Sequence, residues 1–296
     1  MFDGRVVPWH NWCPCKDLNM HIFFNMLAIV FAIVALITLL SYAIYWYESA
    51  NLSPQLLEQR FAPRRLLLAL RLLVSETLLL FVSVVLHPLG WIWPKEKPTV
   101  DGGKPPIILL HGLFHNRSCW WWLKWRLKRA GYRTIYSLHL SAWHDIEVLT
   151  ELIAKKVDRL RLQAGVEQVI LIGHSMGGIL ARNYIQRRGG AARVAHCIQL
   201  GTPNGGSKLA PFAVSPLARN LLPGSTFLAE LNASKLPSDI PLTSIYSRHD
   251  NIVIPAASAR LNGSREIELQ GMGHMGLLYK KSAVAAVLKA LEDSTA

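Results

Sequence analysis

The stretch Gln168 to Arg188, QVILIGHSMGGILARNYIQRR, decides how this chain folds. After Gln168, Val169 to Ile172 are unbroken apolar, as in a strand covered on both faces. From Ile179 to Arg188 the pattern is that of a helix. Between the two stands Ser175, two residues after Gly173 and two before Gly177, with Gly178 next. A hydroxyl that projects from a sharp strand-to-helix turn needs small residues at those positions, because strand and helix must approach closely there. The helix that follows aims its N-terminal N–H groups and positive dipole at the point where an oxyanion would form in acyl transfer. A chance G-x-S-x-G is common, but one set between an apolar strand and a helix is not. Ser175 is the candidate nucleophile.

The same alternation of strands and helices extends to both sides. Upstream, Pro106 to Leu110 (PIILL) is a continuous apolar strand ending in His111-Gly112-Leu113-Phe114. Cys119 to Ala130 (CWWWLKWRLKRA) follows as a helix stopped by Gly131, with Trp120, Leu123, Leu127 and Ala130 on its inner face. Trp121 and Trp125 form a neighbouring stripe. Trp122, Arg126 and Arg129 point elsewhere, toward an interface or into ordinary packing and solvent. A strand at Arg133 to Leu138 and a helix from about Asp145 to Gln163 lead to the elbow. Downstream lie strands at Leu242 to Ser247 (LTSIYS) and Arg265 to Leu269 (REIEL), then a helix at about Ser282 to Leu291. This order predicts a mostly parallel sheet with crossover helices.

Three loops carry a resemblance: GHSMGG after one strand, HGLF after an earlier one, and GTPNGGS (Gly201 to Ser207) after a later one. Over about residues 105–292 the chain resembles the bacterial lipase and esterase branch of the α/β-hydrolase family. That likeness implies an α/β-hydrolase fold and the chain order serine, acid, histidine. It also implies an oxyanion hole from the backbone N–H groups of Met176 and Leu113, with Phe114 as the alternative to Leu113. Asn204 departs from the pattern, since many such lipases have a histidine there.

A nucleophilic serine needs a base, and the base needs a partner that fixes its tautomer. Asp250, in Arg248-His249-Asp250-Asn251 after the LTSIYS strand, sits where the acid belongs. Asp239 and Glu230, both ahead of that strand, are its rivals. His274, in the glycine-rich loop Gly271 to Gly276, is the candidate base because such a loop can carry it back over the serine. His249 adjoins the acid, His174 lies inside the elbow, and His111 reads as a structural turn residue. An insertion at about 207–240, rich in Leu, Phe, Ala and Pro, reads as a short cap or as plain core cover. Its stretch Gly224 to Asn232 resembles a lipase segment and points to an acyl-chain pocket.

The first third differs in kind. No Asp, Glu, Lys or Arg occurs between Asp17 and Glu48, and Ile22 to Trp46 holds more than the roughly 20 apolar residues that cross a bilayer. Tyr42, Tyr45, Trp46 and Tyr47 cluster at its far end, as amphipathic rings do at headgroups. A signal peptide would have a shorter apolar core and more positive charge before it. A second run, Leu72 to Trp93, carries Glu76, whose carboxyl is costly in hydrocarbon; this run spans, lies in the interface or packs on the first helix. The expected division is a tail at 1–21, a membrane-associated segment at 22–94 with one or two transmembrane helices (about 22–46 and 72–93), a linker at 95–104 and a catalytic domain at 105–296. Lys and Arg counts on the two sides are balanced. The dense arginines at 60, 64, 65 and 71 favour a cytoplasmic inter-helix loop and a catalytic domain outside it, in the periplasm if the membrane is a bacterial inner membrane.

Charged residues make up 17% of the 296, and the formal charge is +13. The basic residues are scattered, with no nucleic-acid recognition pattern, so anionic lipid is the simpler counterpart. Cys13 and Cys15 stand alone near the start, away from Cys119 and Cys197, which is neither a disulfide framework nor a metal set. No cofactor or metal is expected. The sequence points to a membrane-anchored ester hydrolase acting on lipid or another apolar ester. Acyltransferase, thioesterase and amidase chemistry use the same triad, and an inert membrane scaffold is the non-enzymatic alternative. Oligomeric state leaves no trace in the sequence.

Overall fold

The computed structural model describes residues 14–58, 61–93 and 104–293. Six strands, β1 (Ile107–Leu110), β2 (Ile135–Ser137), β3 (Val169–His174), β4 (Val194–Leu200), β5 (Leu242–Ser247) and β6 (Arg265–Leu269), form one sheet in the order β2-β1-β3-β4-β5-β6. Every neighbouring pair is parallel. Two long helices, α1 (Pro14–Leu52) and α2 (Pro63–Leu86), precede the sheet, and α3 (Trp121–Arg129), α4 (Ile146–Ala164), α5 (Met176–Arg187), α6 (Thr226–Ala233) and α7 (Lys281–Asp293) surround it.

The central strands are apolar throughout because both faces are covered. Ile108, Leu110, Val169 and Leu171 point into one core with α4 and α5, while Ile107, Leu109, Ile170 and Ile172 point into a second core with α3 and α7. Leu123 and Leu127 are the buried positions of α3, as its spacing requires, whereas Trp121 and Trp125 are exposed. Trp122 stacks on Trp125 with ring centroids 5.0 Å apart and packs against the core, and Arg129 lies over the Trp125 ring. α4 starts on Asp145, whose carboxylate accepts the N–H of Glu147, and ends on Gly165 in the left-handed region. The strand expected at 133–138 is shorter, Ile135–Ser137, and the expected helix at 119–130 opens with a tight turn at Arg117–Trp120.

The insertion at 207–240 divides. Leu217, Leu221, Leu228 and Leu231 are buried in the core over α5, while Phe212 and Val214 are exposed. The expected linker lies, but for Lys104, outside the described residues, as does Cys13.

α1 extends beyond the run that hydropathy marks at both ends, and α2 starts ahead of its run and stops short of the run's end. Apolarity identifies the middle of each helix, whereas the ends follow local chemistry: Pro63 pre-sets the first turn of α2, and Pro88 follows its end. The second run is therefore not one helix to Trp93; after Pro88 a separate turn forms at Leu89–Ile92. Both helices are long and apolar enough to cross a membrane. They pack antiparallel, with Phe31 edge-on to Phe81 and Tyr42, Tyr45 and Trp46 clustered with Leu68 and Leu72. Leu79 and Leu80 of α2 pack against the second core. Phe23, Phe24, Met26, Ile29, Leu36, Leu66, Leu70 and Val74 are exposed.

Leu171 is fully buried in the middle of β3. Leu171→Ala should cost about 2–5 kcal/mol, read as a fall in the thermal midpoint of detergent-solubilised protein. Leu162→Ala, at a position 86% exposed, should stay within about 0.5 kcal/mol of wild type.

Candidate active site

β3 ends in a strained turn. Ser175 adopts φ 55° and ψ −125°, a conformation that L-residues rarely hold. Its N–H donates to the Leu200 carbonyl of β4 at 2.8 Å, and its own carbonyl accepts from Gly178, so both sides of the turn are tied down. A Cβ on Gly173 would come within 2.5 Å of the Gly178 nitrogen, and one on Gly177 within 2.0 Å of the Leu110 carbonyl oxygen. Both glycines of the motif are thus required by contact. Gly178 is required as well, since a Cβ there would meet Thr202 Oγ1 at 1.9 Å.

Asp250 lies just beyond β5 and His274 beyond β6, and both are buried. Asp250 Oδ1 accepts the N–H groups of Ile252 and Val253 at 2.8 and 2.9 Å. That leaves Oδ2 for His274 Nδ1, 2.8 Å away. An imidazole that donates from Nδ1 presents Nε2 as the basic nitrogen, the tautomer a serine nucleophile requires. The His274 and His174 rings are 4.5 Å apart between centroids, which brings the base beside the elbow. Among the described residues no hydrogen bond joins Ser175 Oγ to His274. Such contacts are commonly long in unliganded sites and tighten around substrate.

The rivals are occupied elsewhere. Asp239 is exposed, and Glu230 is exposed and pairs with Arg187 at 2.9 Å. His249 Nδ1 accepts the N–H of Gly271, and His174 Nε2 lies 3.4 Å from the His274 carbonyl.

His111 shows how the other wall is set. Its Nε2 accepts the Leu140 N–H at 2.9 Å, so its Nδ1 carries the proton and donates to the Gly112 carbonyl at 2.9 Å. The His115 N–H reaches the same carbonyl. A trans peptide points its N–H opposite its C=O, so fixing the Gly112 oxygen also fixes the direction of the Leu113 N–H. A Cβ on Gly112 would lie 2.9 Å from Ser175 Cβ, which puts this peptide against the serine. Among the described residues neither the Leu113 nor the Met176 N–H donates to a protein acceptor. Phe114, the alternative donor, is held at φ 59° with its ring half exposed.

Asn204 fills its position with a buried network. Its Oδ1 accepts from Arg182 at 3.0 Å, and its Nδ2 donates to Gln199 Oε1 and to the Ala259 carbonyl. Asn251 went unremarked in the sequence beyond its place next to Asp250, yet its Oδ1 accepts the His274 N–H at 3.1 Å. Among the described residues no set of three or more His, Cys, Asp or Glu is placed to hold a metal ion. Cys119 and Cys197 are buried and unbridged, with burial pushing the Cys197 thiol up to about 12.

Burial holds His111 down to about 3, and His115 and His196 to about 4, against about 6.5 in an unfolded chain. As pH falls below about 6.5 the unfolded state takes up protons that the folded state refuses, so stability is full above that pH and is lost on acidification. Stability, followed by the thermal midpoint, should fall from about pH 6.5 to pH 5, by up to about 1.4 kcal/mol of unfolding free energy per pH unit per histidine at the limit. His196→Gln should flatten that slope.

Residues 107–250 match the family described as the alpha/beta hydrolase family. A triacylglycerol lipase of Pseudomonas fragi is 33% identical over 110 residues, 36% of each chain. The chain spans about a third of the length of the curated relatives it matches first. Among solved structures, the mature lipase BlEst2 of Bacillus licheniformis superposes with a TM-score of 0.59 at 20% identity, covering 67% of this chain and 96% of that one. Phospholipase PlaB of Legionella pneumophila superposes at 0.52 and 15% identity, over 65% and 61%. The family match spans 107–250, just under half of the chain, and the fold is the α/β-hydrolase fold.

Proposed function

We propose that this protein is a membrane-attached serine hydrolase that cleaves carboxylic esters of apolar acyl chains, lipids or phospholipids among them. The observation that carries the reading is the Asp250–His274 pair, oriented through Nδ1, beside a serine held in a strained turn with two uncommitted N–H groups next to it. Ser175 Oγ attacks the ester carbonyl while His274 Nε2 takes its proton, and Asp250 stabilises the imidazolium. The oxyanion is received by the N–H groups of Met176 and Leu113, each such donor contributing about 3–4 kcal/mol to the transition state. Collapse expels the alcohol, protonated by His274, and leaves an acyl-serine. Water activated by the same imidazole then releases the acid.

The preference for apolar, lipid-like esters rests on location. Most of the exposed large side chains of the α1–α2 pair are apolar, and Phe114, Trp143, Phe212 and Val214 are exposed on the catalytic domain. Ser215 Oγ donates to the Ala142 carbonyl, which joins the loops that carry Trp143 and Val214. The relatives named a triacylglycerol lipase and a phospholipase act in the same direction. We take residues 105–296 as the catalytic domain and the helix pair as its attachment to the bilayer.

Detergent-purified protein given a panel of phospholipids, glycerides and short p-nitrophenyl esters should release acid from at least one class. Ser175→Ala should lower kcat by at least about 10³-fold, with His274→Ala matching it and the double variant no worse. A Ser175→Ala protein that keeps the wild-type rate sinks the reading. Attachment is tested separately: the protein should float with liposomes and resist extraction by high salt and by carbonate, coming off only in detergent.

A further inference from the structure

We propose that Glu76, on the second apolar helix, is a positioning residue for His274, so that the α1–α2 pair is a structural part of the active site as well as its attachment. The inference rests on the triad reading above. Glu76 is 1% exposed, in a run whose other residues are mostly apolar. Its carboxylate faces the loop that carries the base. Oε1 accepts the N–H groups of Gly273 and Gly276 at 2.9 and 3.0 Å, and Oε2 accepts that of Met275 at 2.7 Å. Between Gly273 and Gly276 the one other N–H, that of His274 itself, goes to Asn251 Oδ1. Asn251 is held in turn from α1, donating through Nδ2 to Ser41 Oγ at 2.7 Å. Four consecutive N–H groups around the base therefore trace back to the two helices.

The acid side is braced from the same place. Tyr45 donates to the Arg248 carbonyl at 2.9 Å, and Tyr42 reaches the His249 carbonyl at 3.4 Å, the two residues before Asp250. The glycines of the loop fit this arrangement. A Cβ on Gly273 would lie 2.4 Å from the Tyr42 hydroxyl and 2.5 Å from Glu76 Cδ, and one on Gly276 would lie 3.0 Å from Glu76 Oε1. The side chains those positions lack are replaced by the carboxylate that docks there. A buried carboxylate is costly unless it accepts several hydrogen bonds. Here its position is set by the residues on either side of the base, where a displacement of about 1 Å can cost on the order of 10²-fold in rate.

Glu76→Gln keeps the shape but turns an NH2 group toward an N–H donor. In full-length protein it should lower kcat by about 10- to 100-fold with KM nearly unchanged, while the thermal midpoint and liposome binding stay close to wild type. Gly273→Ala, which pushes on the same carboxylate from the other side, should lower kcat as well, and the double variant should fall short of the product of the two losses. A readout free of substrate is the far-downfield proton resonance of His274 Nδ1–H bonded to Asp250, which should move or broaden in Glu76→Gln. If kcat, counted per fluorophosphonate-titrated site, and the resonance both match wild type, or if the two losses multiply, the positioning role is overturned. A wild-type protein that shows the resonance but hydrolyses no ester of the panel sinks the hydrolase reading alone, and the resonance in Glu76→Gln then decides the positioning role.

Discussion

A serine at φ 55° does not stay there on its own account. A backbone in that region costs on the order of 1–3 kcal/mol, and the cost is met by what surrounds it. The N–H of Ser175 is bonded to β4, the β1 carbonyls press against Gly177, and Thr202 fills the space beside Gly178. The strand order β1-β3-β4 places these neighbours on either side of the elbow. A parallel sheet can do this because the carboxyl ends of all its strands face one way, so loops from β1, β4, β5 and β6 converge on the same edge. The register of the sheet and the geometry of the Ser175 turn are one constraint.

The loops that complete the site are held by hydrogen bonds to side chains, and each bond fixes more than the atom it touches. His111 uses both ring nitrogens to orient a single peptide. Asp250 spends one oxygen on its own turn and keeps the other for the base. Burial keeps His111 and His115 neutral across the working pH range, so His274 stands among uncharged rings, and Asp250 is its hydrogen-bonded carboxylate.

Much of this was legible in the sequence because it is local. The strands LTSIYS and REIEL appear at the predicted residues, and the elbow could be read from five residues and their flanks. Chain order after the sheet strands was enough to bring Asp250 and His274 together. What could not be read is contact across distance. Glu76 and Met275 are 199 positions apart, as hydropathy has no means of pairing them. In the sequence Glu76 is a flaw in an apolar run; only in three dimensions does it acquire donors. Asn251 and Ser41 are likewise invisible as partners at a separation of 210. The ends of α1 and the start of α2 differ from the apolar runs because helices continue through polar residues that a hydropathy window excludes, while α2 stops early, just ahead of Pro88.

The contacts of Ser41, Tyr42, Tyr45 and Glu76 bear on how such a chain can change over generations. Composition divides it cleanly into an oily beginning and an α/β remainder, as though the two were interchangeable parts. The hydrogen bonds cross that division. A new leader of equal greasiness, spliced on by recombination, would supply the hydropathy and none of the acceptors. The seam visible in the letters is crossed by these bonds and is not one along which the contacts of the loop separate.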